Sequence, residues 1–325
     1  MSSPITRTEP TGRRFRSLYA YWITLRVIAS YLLLRFVARL RGRDYMQRAL
    51  RQRNIDNARR VEVAILRLQG LFIKVGQLFS IMTNFLPEEF RQQLEGLQDA
   101  VPPVAYDHIR LRFAEEFGKT PDELFAAFDR RAIASASMSQ VHRATLPSGE
   151  EVAVKVQYPD VERLVRSDLK TFRRILRITN LFFPYQGAEA MFDEISQMLR
   201  AELDFAEEAR QLEAIRDNFD GCTYAHFPRV FHELSTKRIL TTEFLSGIKV
   251  TNVAELEAQG IDRAGIARML IDMYCRQIFV DGLYHADPHP GNIFVLPGPK
   301  LALVDFGAVA TVSLAMRHGI VEFLQ

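Results

Sequence analysis

Tyr284-His285-Ala286-Asp287-Pro288-His289-Pro290-Gly291-Asn292, followed by Val304-Asp305-Phe306-Gly307, is the stretch on which the fold turns. Asp287 and Asn292 lie five positions apart, and Asp305 comes thirteen after Asn292. This spacing can bring three oxygen-bearing side chains to one point. Asp287 is expected to face the group that attacks phosphorus, while Asn292 and Asp305 hold Mg²⁺ against the phosphates of ATP. Phosphoryl transfer asks a protein for positioning and charge neutralisation more than for covalent chemistry, and Mg²⁺ takes hard oxygen ligands. Asp-Phe-Gly alone is also a good turn; after a correctly spaced D-x-x-x-x-N it is selective.

Upstream, Val152-Ala153-Val154-Lys155 reads as a strand. Alternation puts the two valines on one face and Ala153 and Lys155 on the other, so Lys155 can reach the α- and β-phosphates and Ala153 leaves room for adenine. Ile133–Ser137, Gln140–Thr145 and Glu151–Gln157 read as three antiparallel strands, with Pro147-Ser148-Gly149 as the second turn. Residues 134–140 (Ala134, Ser135, Ala136, Ser137, Met138, Ser139, Gln140) stand where a kinase has a glycine-rich phosphate loop, yet contain no Gly. The loop is small and polar but stiffer than a glycine loop. The acid that holds Lys155 is expected on the helix read over Glu189–Asn218, at Glu202, Asp204 or Glu194; Glu207 and Glu208 read as solvated face. Thr242-Glu243-Phe244 ends a strand, and Glu243 and Phe244 are the expected hinge against adenine.

Around these motifs, helices are expected over Ala49–Gln69, Leu71–Phe85, the stretch after Pro87 as far as Pro102-Pro103, Tyr106–Phe117, Pro121–Phe128, Val161–Phe182, Val253–Gln259 and Ile261–Phe279. The fold class is therefore α+β: a bilobal protein-kinase-like fold with a small antiparallel-sheet N-lobe, a helical C-lobe and a helical N-terminal extension. Expected boundaries are 1–44 for a basic, membrane-surface helix, 45–128 for the helical extension, 129–245 for the N-lobe with inserted helices, and 246–325 for an incomplete C-lobe.

Composition fits such a chain. Its 325 residues are 48% hydrophobic and 25% charged, ordinary for a globular protein with a sizeable core. The net charge of +3 hides an asymmetry: residues 1–60 hold 14 Arg, no Lys and three acids, for +11, and the rest carries −8. A basic start on an acidic body suggests a polyanionic partner. Residues 18–38, with Arg26 and Arg35 interrupting the apolar run, suit a helix lying on a bilayer surface better than one crossing it, with Arg39, Arg41 and Arg43 facing anionic lipid. Packing of this helix on the protein body is the alternative. No readout motif argues for nucleic acid. Cys222 and Cys275 are far apart and fit a reducing compartment.

Together these residues resemble the UbiB/AarF family of atypical, protein-kinase-like proteins. Lys74-Val75-Gly76-Gln77 matches that family's K-x-G-Q, Glu202-Leu203-Asp204 its E-x-D, and the Ala/Ser loop ending Gln140-Val141-His142, the His285–Asn292 loop and the DFG match as well. The resemblance covers about residues 65–310. It implies that Lys74, as a catalytic-site lysine, and Gln77 line the nucleotide pocket with Glu202 and Asp204 as partners, that Mg-ATP is bound, and that the protein supports ubiquinone or a related isoprenoid-quinone pathway as a kinase or ATPase. It further implies quinone-pathway proteins or lipid precursors as partners, at the cytoplasmic, inner face of a membrane. Relative to the family pattern the chain stops soon after the DFG, as a fragment would. Two other readings are kept: a small-molecule phosphotransferase of the aminoglycoside/choline kinase type, against which K-x-G-Q and the Ala/Ser loop argue, and an ATP-gated, non-catalytic scaffold for quinone-pathway enzymes.

Overall fold

A computed structural model describes residues 13–81, 86–97, 103–298 and 300–324. Residues 1–12 of the expected basic segment, the expected helical residues 82–85 and 98–101, and Pro102 lie outside the described residues. In chain order the helices are α1 (Arg13–Arg41), α2 (Arg43–Leu68), α3 (Leu71–Ile81), α4 (Glu88–Glu95), α5 (Tyr106–Phe117), α6 (Pro121–Leu124), α7 (Val161–Phe182), α8 (Ala188–Ala201), α9 (Phe205–Asn218), α10 (Val253–Ala258), α11 (Arg263–Cys275) and α12 (Leu314–Leu324). The strands are β1 (Ala127–Phe128), β2 (Ala134–Ser135), β3 (Ser139–Thr145), β4 (Glu151–Gln157), β5 (Ala225–His226), β6 (Ile239–Glu243), β7 (Ile248–Lys249), β8 (Leu283–His285), β9 (Ile293–Leu296), β10 (Lys300–Leu303) and β11 (Val309–Thr311). The α+β, kinase-like class expected from the sequence is the class found. The chain divides into two compact units: Met1–Ile109, Ala134–Gln140 and Gln157–Leu199 form the first, and Arg110–Ile133, Val141–Val156 and Arg200–Gln325 the second.

The first unit is helical. Gly42, in the left-handed region at φ 88°, turns the chain between α1 and α2. Ala20, Ile65, Leu68, Phe72, Ile73, Leu94 and Leu97 make one core joining α1, α2, α3 and α4. Helix α3 carries Lys74-Val75-Gly76-Gln77, and its glycine has a packing reason. A Cβ at Gly76 would lie 2.6 Å from Leu97 Cδ1 and 3.0 Å from Ile65 Cδ1, so only hydrogen lets α3 approach this closely.

Helix α1 packs on the protein body along one side. Ala20, Ile23, Ile28 and Leu34 are buried. Its start is pinned to α7 by the Arg16–Asp168 ion pair at 2.7 Å, both side chains about 5% exposed or less, and by Ser17 Oγ and Thr171 Oγ1 at 2.8 Å. Burial pushes the Asp168 carboxyl up, against the pull of Arg16. On the opposite side Leu18, Trp22, Leu25, Leu33, Phe36 and Leu40 are all exposed. At about 100° per residue they fall within an arc of about 100°, an apolar stripe along the full helix. No described helix is long and apolar enough to cross a membrane.

In the second unit the antiparallel sheet runs β1-β3-β4-β6. Val152, Val154 and Val156 are fully buried on one face of β4, as period-two alternation requires, and Lys155 stands on the other, paired in register with Leu240. A second sheet runs β5-β10-β9-β7, and β8 pairs with β11. Their shared core includes Leu212, Ile215, Met273, Ile293, Leu301, Leu303 and Phe306.

Several expected elements are corrected. The helix read over Glu189–Asn218 is two helices, broken at Glu202-Leu203-Asp204. Asp204 leaves helical geometry to cap α9, its carboxylate accepting from Glu207 N at 3.2 Å. The helix read over Pro121–Phe128 stops at Leu124, and Phe128 joins β1 instead, paired with Ala144. The strand read over Ile133–Ser137 shortens to β2. After Cys275 the last helical turn widens to a π-turn over Arg276–Asp281, closed by Gly282 at φ 70°.

Candidate active site

Two carboxylates from distant parts of the second unit meet at Lys155. Its Nζ donates to Glu208 Oε1 at 2.7 Å and Oε2 at 2.9 Å, and to Asp305 Oδ1 at 2.7 Å. The Lys155 ammonium also lies over the Phe205 ring, with Nζ 5.1 Å from its centroid. Glu208 is 5% exposed, Lys155 18% and Asp305 49%, so Glu208 is the desolvated partner and Asp305 faces solvent. Burial works against the Lys155 ammonium, but the carboxylates of Asp305 and Glu208 outweigh it and raise its pKa. Burial, reinforced by the negative charge of Asp305, pushes the Glu208 carboxyl up to about 7 despite the attraction of Lys155.

Glu208 corrects the expectation that it belongs to a solvated face. The signal was present: on α9, Phe205, Leu212 and Ile215 are buried at helical spacing, and Glu208 falls on that stripe. A charge on an apolar stripe must find a partner. Reading 189–218 as one helix concealed this, because the break before Phe205 sets α9's register afresh. Glu202 and Asp204 do not hold Lys155. Asp204 caps α9 and pairs with Lys237 at 3.0 Å, Glu202 is half-buried in the turn, and Glu194 is exposed on α8.

Asn292 and Asp305 are brought together by the β9–β10 hairpin. The register pairs Ile293 with Leu303, and Val304 N donates to Asn292 O at 3.0 Å. Asp305, next along, adopts φ 65°, a left-handed conformation that Asp tolerates better than most residues. His285 clamps the two motifs. It is fully buried, its Nε2 lies 2.9 Å from Asp305 O, its amide donates to Gln277 Oε1 at 2.8 Å, and its ring meets Phe306 edge-on at 5.1 Å. Asp305 O can only accept, so Nε2 carries the imidazole proton. Phe306, 1% exposed, anchors the DFG in the core. Asp287, two residues after His285, is exposed, and its charge adds to burial in pushing the Tyr274 hydroxyl up to about 12.

The remaining expected residues divide between the units. Lys74 and Gln77 are half-buried on α3 in the first unit, where Gln77 Nε2 donates to Leu97 O at 3.2 Å. The 134–140 loop also belongs to the first unit and is closely tied. Ala136 N donates to Ser139 O at 2.8 Å, Tyr158 OH to Ala136 O at 3.1 Å, and the Ser135 and Tyr158 hydroxyls lie 3.2 Å apart. Ser137, Met138, Ser139 and Gln140 are buried, and Gln140 Oε1 accepts from Val104 N at 2.8 Å. At the end of β6 the Glu243 carboxylate faces His226 Nε2 at 3.1 Å, and Phe244 N donates to Glu151 O at 3.1 Å. Asn292 and Asp305 offer a carboxamide and a carboxylate, hard oxygen donors that suit magnesium shared with phosphate oxygens.

The sequence pattern of the ABC1 atypical kinase-like domain matches residues 96–325; the K-x-G-Q segment lies ahead of that match. The chain is 39% identical to Protein ACTIVITY OF BC1 COMPLEX KINASE 8, chloroplastic, of Arabidopsis thaliana, over 79% of this chain and 35% of that protein. It is 37% identical to Probable serine/threonine-protein kinase abkD of Dictyostelium discoideum, over 73% and 35%, and 34% identical to AarF domain-containing protein kinase 1 of Gallus gallus, over 82% and 52%. It thus spans about a third to a half of the length of these relatives. Among solved structures, Rv3197 of Mycobacterium tuberculosis, in complex with erythromycin, is similar at a TM-score of 0.53 and 29% identity, over 83% of this chain and 68% of that one. The chain belongs to the ABC1 family of atypical kinase-like proteins, the UbiB/AarF family that its motifs resemble.

Proposed function

We propose that this protein is an atypical kinase or ATPase that binds Mg-ATP and supports isoprenoid-quinone (ubiquinone) biosynthesis at the cytoplasmic face of a membrane. The observation that carries the reading is the Lys155–Glu208–Asp305 cluster, one amine held by two carboxylates within 2.9 Å. Glu208 aims Lys155, whose charge offsets that of the α- and β-phosphates. Asn292 and Asp305 would hold Mg²⁺, which when bound neutralises charge developing on the transferred phosphoryl group. Asp287, exposed beside the His285 clamp, orients the attacking hydroxyl or water. Glu243 and Phe244 mark the adenine side. Lys74, Gln77, Glu202, Asp204 and the 134–140 loop are assigned nucleotide-binding roles by family likeness alone. The apolar stripe of α1, with exposed Arg39, Arg41 and Arg43 near its end, supports contact with anionic lipid.

The test is ATP hydrolysis and Mg-nucleotide affinity, with and without anionic vesicles and a quinone-precursor mimic. Asp287→Asn is expected to abolish turnover with nucleotide affinity kept, and Asp305→Asn to abolish turnover and weaken Mg-nucleotide binding together. Undiminished hydrolysis by Asp305→Asn refutes the assignment.

A further inference from the structure

Within the first unit, α1, α2, α3, α4 and α7 enclose a partly open cavity of about 660 Å³. That is mid-range for small-molecule sites, about 300–1,000 Å³. Its wall is overwhelmingly apolar, with Phe72, Phe79, Phe90 and Phe172 among its residues. The polar side chains in the wall are mostly spent on the protein itself. Tyr31 OH donates to Asn54 Oδ1 at 2.8 Å, Asn54 Nδ2 to Glu89 Oε2 at 3.1 Å, Thr24 Oγ1 to Ala20 O at 2.9 Å, and Asn180 Oδ1 accepts from Tyr185 N at 2.6 Å. Arg35 differs. It is the charged residue of the wall, it is exposed, and it has no ion-pair partner among the described residues. A site with an apolar body and one available guanidinium suits a ligand built the same way.

We propose that this cavity binds one single-chain amphiphile, an isoprenoid or acyl chain in the apolar chamber with its anionic head, carboxylate or phosphate, on Arg35. Helix α1 supplies a route. One side of it lines the cavity through Ile23, Val27 and Tyr31, while the other carries the exposed stripe, so a chain leaving a bilayer surface meets the same helix that walls its site. The proposal stands apart from the phosphoryl-transfer reading, because the cavity lies wholly in the first unit and Lys155, Asp287 and Asp305 lie in the second.

The test uses the full chain, delipidated, titrated with cis-parinaric acid, a fluorescent polyene fatty acid, below its micellar concentration. Saturable binding of one equivalent is expected. Arg35→Gln, at an exposed position, should weaken the acid about tenfold and leave the corresponding fatty alcohol unchanged. Val27→Trp, filling the chamber from a half-buried position, should abolish binding of both while keeping or raising the melting temperature. A paired stripe variant, Leu33→Ser/Phe36→Ser, should bind as the parent does. Displacement by farnesyl diphosphate at lower concentration than by palmitate assigns an isoprenoid chain, and the reverse order an acyl chain. Absence of saturable binding overturns the proposal, as does binding that survives Val27→Trp in a folded protein or that is lost only in the stripe variant. Equal affinity of the parent for acid and alcohol overturns the role given to Arg35.

Discussion

Replacing Glu208 by Gln separates what this residue does for the site from what it does for the fold. The substitution keeps shape and one acceptor and removes the charge. Glu208 is 5% exposed, and its carboxyl is pushed from an ordinary 4.5 up to about 7. A carboxyl whose folded pKa is raised binds protons more readily in the folded than in the unfolded state, so its contribution to stability declines as pH rises from 4.5 through 7. At about 1.4 kcal/mol per pH unit, that displacement is worth at most about 3 kcal/mol. The variant lacks this loss. Relative to the parent, Glu208→Gln should therefore gain about 1–3 kcal/mol between pH 5 and pH 8, read as a change in the difference of urea midpoints at constant m-value. Function should move the other way. Lys155 keeps only one charged partner, the half-exposed Asp305, so Mg-nucleotide affinity at pH 8 should fall about tenfold or more, and the parent's rise in affinity through pH 7 should flatten. A stability difference independent of pH, or one that favours the parent more as pH rises, refutes the account of Glu208 as a desolvated carboxylate held for the sake of Lys155.

Arg16→Met leaves Asp168 charged and buried without its partner, and should cost about 3–5 kcal/mol by denaturant unfolding; adding Asp168→Leu should recover most of it, and a loss under 1 kcal/mol would show that the pair is not desolvated. Gly76→Ala places a methyl against Leu97 and Ile65 in a packed core. Overpacking of about 1–3 kcal/mol exceeds the gain in helix propensity of about 1 kcal/mol, so the melting temperature should fall; an unchanged or raised value contradicts the close approach of α3. Trp22, the single tryptophan, is 52% exposed on the α1 stripe. Its emission should shift to the blue on anionic vesicles, less so at high salt, and Leu33→Ser/Phe36→Ser should reduce partitioning several-fold; an emission spectrum indifferent to vesicles removes the membrane role of this face.

The motifs that decide the fold were legible because each is a short-range constraint. D-x-x-x-x-N and DFG sit at either side of a tight hairpin, and alternation along β4 settles the side of Lys155. What escaped depended on where helices break. No propensity signal distinguishes one helix over 189–218 from two, because Asp204 acts as a cap only once the chain has turned there. With the break unseen, the face of Glu208 was misassigned. The π-turn after Cys275 was equally invisible, since one extra residue in a turn leaves no mark on hydrophobic spacing. For α1 the sequence offered burial or a bilayer as alternatives, whereas the helix is buried along one side and exposes an apolar stripe along the other. The cavity needs five helices in place and so has no trace in any single segment.

The Arg16–Asp168 pair and the Ser17–Thr171 contact moor α1 at its leading end, while Tyr31–Asn54 and Asn57–Ser30 fasten its middle to α2. Detaching it would strand a carboxylate in a dry interior. A bilayer docked on the α1 stripe, as proposed, would meet a fixed keel and not a loose tether, and such docking would impose one heading on the whole helical unit.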